Sequence, residues 1–107
     1  MRKIMFDRNN YSSYKDFYVQ IYKDLDGAHT IDWEQYDNLC YSADALDEFL
    51  WYKAEENICY IFKNFDKEKI VKQRTLDDYK YNIIIEVFED FAKQFPNNTV
   101  EFVPIEK

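Results

Sequence analysis

The chain has 107 residues, 21 acidic against 14 basic for a formal charge of -7, with 47% hydrophobic and 20% aromatic residues but one glycine and two prolines. That length fits a single domain, 1–107, and that composition excludes a disordered or low-complexity chain. A net acidic surface repels phosphate backbones and anionic membranes, which argues against nucleic-acid binding, and no apolar stretch approaches the ~20 residues a membrane span needs.

The N-terminal run Ile4-Met5-Phe6 is too short for the apolar core of a signal peptide, so a cytoplasmic location is expected. Lys3 to Phe6 reads as a first strand, closed by the turn formers Asp7-Arg8-Asn9-Asn10. Ser12 or Ser13 can cap a first helix in which Tyr14, Phe17, Ile21 and Leu25 form one apolar stripe, with Gly27 placed as its C-terminal cap. From Ala28 to Tyr41 the apolar residues Ile31, Trp33, Tyr36 and Leu39 are irregularly spaced, as in a short helix or an ordered loop.

Ser42 is a good N-cap for the next helix, with Tyr41 and Leu46 spaced as a hydrophobic staple and Asp44 favoured near the positive end of the helix dipole. Ile58 to Phe62 is apolar without alternation, the pattern of a strand buried on both faces of a parallel sheet. Asp66 to Gln73 can form a short charged helix carrying Ile70 and Val71. Thr75 opens the longest helix, with Leu76, Tyr79, Ile83, Val87, Phe91 and Phe95 at helical spacing, flanked by Ile84 and Phe88. Pro96-Asn97-Asn98 ends that helix, and Thr99 to Val103 reads as a last strand stopped by Pro104. Strands separated by helices pair in parallel through right-handed crossovers, so the expected fold is α/β, a small three-stranded parallel sheet packed with helices.

Few residues carry catalytic chemistry. His29 is the only histidine, and Cys40 and Cys59 lack a paired metal-site spacing and a neighbouring histidine, so both read as buried reduced thiols. One glycine leaves no phosphate-cradling loop to build. No metal, no cofactor and no enzymatic activity are expected.

The informative feature is the helix opened by Ser42. Asp44, Asp47, Glu48 and Trp51 fall at i, i+3, i+4 and i+7 on one face, and Leu46, Phe49 and Leu50 point the other way. Each like-charge pair at such spacing costs roughly 0.2–0.5 kcal/mol, which folding alone does not ask for. A solvated face is the ordinary reading of three acids, and carboxylates could in principle bind Mg²⁺ or act as an acid/base pair. The tryptophan in the same stripe favours a contact surface for a basic partner, nuclease or not. Ten tyrosines strengthen that reading: Tyr14, Tyr60 and Tyr79 suit the core edge, and Tyr36, Tyr41 and Tyr52 lie near the acidic helix. Asp90 sits with Glu86 and Glu89 on the polar side of the long helix.

Ser42-Ala43-Asp44-Ala45-Leu46-Asp47-Glu48-Phe49-Leu50 resembles the acidic-helix motif of the barstar family of intracellular ribonuclease inhibitors. Ser13 to Phe17 is similar to the start of that family's first helix, and Ile85 to Ala92 with Thr99 to Phe102 to its last helix and final strand. The resemblance spans nearly the whole length and implies the same three-stranded sheet with packed helices. It also implies an inhibitor whose acidic helix enters the active-site cleft of a basic ribonuclease or ribonuclease toxin, its carboxylates replacing substrate phosphates; the free chain is expected to be a monomer. Asp44 and Glu48 match the motif's two acids, Asp90 an acid on the last helix, and Ser42 the residue that opens the acidic helix. Trp51 falls where the family makes further contacts, and Asp47 stands at a position that is aromatic in the type member. Cys40, Ser42, Glu48 and the longer 28–41 segment depart from the family pattern, which implies a reshaped contact surface.

Overall fold

A computed structural model describes residues 2–26 and 42–103. Strand β1 (Arg2–Asp7) leads through a single 3-10 turn (Arg8–Asn10) into helix α1 (Tyr14–Asp26). Helix α2 (Ala43–Tyr52), strand β2 (Ile58–Lys63), helices α3 (Lys67–Val71) and α4 (Leu76–Gln94) and strand β3 (Thr99–Val103) follow. The three strands form one parallel sheet in the order β1-β2-β3, with Ile4 opposite Tyr60 and Phe62 opposite Phe102. The expected fold class is therefore present. Among the described residues no helix is long and apolar enough to cross a membrane.

Both connections step across the sheet in the same direction, and right-handed crossovers then place all the helices on one face. The ring contacts agree: Phe17 of α1 and Phe88 of α4 both lie against Phe6, at 5.4 and 5.7 Å, and both against Phe62, at 6.2 and 5.4 Å. Offset and edge-on aromatic pairs of this kind add about 0.5–1.5 kcal/mol each beyond their buried area. The central strand is buried on both faces, as its unbroken apolar run requires: Ile58, Tyr60 and Phe62 enter the aromatic core, and the free thiol Cys59 is buried with Ile61.

Three of the helix starts follow their sequence signals. Ser42 Oγ accepts from Ala45 N–H at 3.2 Å, Asp66 Oδ1 from Lys69 N–H at 3.1 Å and Thr75 Oγ1 from Asp78 N–H at 3.0 Å. At α1 the Asp16 carboxylate accepts from both Ser12 N–H and Ser12 Oγ, and these bonds hold it below the usual carboxylate range. Gly27, His29, Cys40, Tyr41, Pro104 and the whole 28–41 reading lie outside the described residues.

Two expectations are corrected. The face of α4 that enters the core is Tyr81, Ile84, Ile85, Phe88 and Phe91, whereas Leu76 is 64% exposed and Tyr79 45% exposed. Tyr79 is therefore no core-edge residue, and Tyr60 is not at an edge but fully buried. The helix carries apolar residues around more than half its circumference, so spacing alone left its rotation open. The bulkier Phe88 side is the one that fills the space above Phe6 and Phe62.

Candidate protein-binding surface

Helix α2 is held from beneath. Leu46 and Leu50 are fully buried, Phe49 meets Tyr22 of α1 edge-on at 4.8 Å, and Trp51 meets Phe95 edge-on at 4.9 Å. Lys53 N–H caps the last turn through the Leu50 and Trp51 carbonyls. Behind the helix, Asn98 is buried and ties the chain that leaves α2 to the sheet: its Nδ2 donates to the Ala54 carbonyl at 3.1 Å and its Oδ1 accepts from Ile58 N–H at 3.3 Å.

The opposite face presents Asp44, Asp47, Glu48 and Trp51, all exposed. With Tyr52 they line a shallow depression of about 470 Å³. Trp51 remains 53% exposed although Phe95 fixes one edge of its ring, and Tyr52 is 79% exposed. Among the described residues no hydrogen bond or ion pair involves the side chains of Asp44, Asp47 or Glu48, and the preceding segment 27–41 contains no Lys or Arg.

Several acids elsewhere have structural work. Asp7 accepts from Asn64 Nδ2 and Asn9 N–H, which hold its carboxyl below the usual range; Glu56 pairs with Arg2 at 3.7 Å; and Glu89 pairs with Lys67 at 3.3 Å. Among the described residues no three His, Cys, Asp or Glu come together as a metal-holding group, so the α2 carboxylates spread along the helix instead of converging.

Four of the expected contact residues thus share one surface. Ser42 spends its hydroxyl on the helix cap, Asp90 is exposed on α4 but does not line the depression, and Tyr36 and Tyr41 lie outside the described residues. Tyr52 joins the surface without belonging to the i, i+3, i+4, i+7 stripe. Its signal in the sequence was its position directly after Trp51, at the end of the helix, where the last turn opens to solvent. No family model, characterised relative or solved structure matches this chain.

Proposed function

We propose that this protein is a stoichiometric inhibitor, of the immunity-protein kind, that binds and blocks the active site of a basic ribonuclease or ribonuclease toxin in the cytoplasm through the outer face of α2. The observation that carries the reading is the set Asp44, Asp47 and Glu48, exposed and without side-chain partners among the described residues, beside the exposed pair Trp51 and Tyr52. A ribonuclease cleft concentrates cations to hold substrate phosphates. Carboxylates one helical turn apart can take the places of successive phosphates, and the repulsion they suffer alone is relieved when those cations arrive. Trp51 supplies the large apolar contact on which interfaces concentrate their energy, and Phe95 holds its ring in place. The protein acts without metal or cofactor and is monomeric when free.

Co-expression with candidate ribonuclease toxins tests the proposal by rescue of growth. Asp44→Ala and Glu48→Ala are each expected to abolish rescue and to weaken binding by about 2–5 kcal/mol, the usual loss when one member of a buried charge pair is truncated. Binding by both variants at wild-type strength would overturn the assignment of this face.

A further inference from the structure

Strands β1 and β2 run parallel and end side by side, Asp7 opposite Lys63. In parallel α/β sheets ligand crevices form at the carboxyl ends of the strands, where the chain leaves the sheet. Here the two exits are tied together. Asp7 Oδ1 accepts from Asn64 Nδ2 at 2.8 Å and from Asn9 N–H at 3.0 Å, and Asn64 holds a φ of 63°, the left-handed region that asparagine tolerates better than most residues.

Beside these exits opens a cavity of about 380 Å³, lined chiefly by Arg8, Asn9, Asn64, Asp66, Lys69 and Asp78. The volume lies within the roughly 300–1,000 Å³ range of small-molecule sites. None of these residues belongs to the α2 surface.

Asp78 sets this cavity apart from an ordinary polar crevice. At 9% exposure it is the only buried carboxylate among the described residues, and its Oδ2 has no hydrogen-bond partner. One turn along α4, the Tyr81 hydroxyl is also buried and, among the described residues, without a hydrogen-bond partner, and burial pushes it up to about 12. Unsatisfied buried polar groups destabilise a fold, and their retention calls for a reason. Arg8 is committed elsewhere: its Nη1 donates to the Tyr11 carbonyl at 2.8 Å, and its guanidinium lies 4.5 Å from the centre of the Tyr81 ring. Lys69 is exposed, and among the described residues its Nζ makes no bond or ion pair.

Both signs of charge therefore line one small cavity. A simple anion would meet Asp66 and Asp78, and a simple cation would meet Arg8 and Lys69. A ligand carrying both charges answers both walls. We propose that the cavity at the carboxyl ends of β1 and β2 binds a small zwitterion of the α-amino-acid type, its ammonium group on the buried Asp78 carboxylate and its own carboxylate toward Lys69. The proposal is independent of the α2 surface and stands or falls separately from it.

The probes are the common proteinogenic amino acids, each added to the full chain, with methylamine and acetate as single-charge controls. At least one amino acid is expected to raise Tm by several degrees at roughly ten times its dissociation constant, and to shift the amide resonances of Asn9, Asn64, Lys69 and Asp78. Asp78→Asn and Lys69→Ala are each expected to weaken that binding at least tenfold. Lys69 is exposed, so Lys69→Ala keeps the test decisive even where Asp78→Asn unfolds the chain. The proposal is overturned if no amino acid moves either signal, if methylamine or acetate moves them equally, or if Lys69→Ala binds like wild type.

Discussion

Asn98 carries more of the architecture than its place in a helix-ending turn suggests. Its side chain bonds across to Ala54 and Ile58 from a fully buried position, and Asn98→Ala would orphan the Ile58 N–H and the Ala54 carbonyl. We expect a loss of about 1–3 kcal/mol per orphaned group in urea unfolding. Asp24 works in the opposite sense. Burial raises its carboxyl above 3.8, against the opposing effects of Gln20 and Arg2. A carboxyl raised in the folded state does no harm below its unfolded value and destabilises increasingly as pH rises through its folded value. Asp24→Asn should therefore stabilise the protein at neutral pH, with the gain vanishing below 3.8, as unfolding curves across pH will show. Asp7, lowered chiefly by Asn64, has the reverse sign: its contribution is complete above 3.8 and is lost as pH falls through its folded value. None of these roles was legible in the sequence. Asn98 and Ile58 are 40 residues apart, and no local pattern announces such a bond.

Among the elements, α2 was the most legible because its determinants are local. The Ser42 cap, the inward Leu46 and Leu50 and the outward acids all follow from a 3.6-residue period and an N-terminal signal. Ser42→Ala should lower stability by about 0.5–2 kcal/mol and Leu50→Ala by about 2–5 kcal/mol, both measurable by thermal or denaturant unfolding. Glu48→Ala should leave folding intact or raise stability by a few tenths of a kcal/mol, because it removes like-charge repulsion, whereas Asp44→Ala also removes a favourable charge from the first turn of α2 and should leave stability unchanged or lower it by less than about 1 kcal/mol; both should weaken partner binding. Helix α4 shows the other side. Its existence and its Thr75 cap were readable, but with two apolar stripes available its rotation was not. The side that packs best over Phe6 and Phe62 won.

At the scale of the whole molecule, a charge of -7 and an acidic face without ion pairs among the described residues would make the proposed association with a basic partner an electrostatic matter. Charge complementarity lifts association rates above the roughly 10⁵–10⁶ M⁻¹s⁻¹ of neutral pairs. The screening length falls from about 10 Å at 0.1 M salt to about 3 Å at 1 M. Stopped-flow mixing with the partner should show an association rate that drops steeply over that range, with dissociation changing far less. A rate that ignores salt would be incompatible with the α2 face as the docking surface.

The order of elements, the parallel sheet and the acidic stripe were determined by the chain's own periodicities, caps and connection lengths, quantities set by residues close together in sequence. The tertiary structure alone decided which side of α4 is buried and where Asn98 finds its partners. It also decided that Phe95 braces Trp51 and that Asp78 is buried beside the exits of β1 and β2. Each of these depends on side chains far apart along the chain competing for the same space, and that competition is resolved only when the helices settle on the sheet.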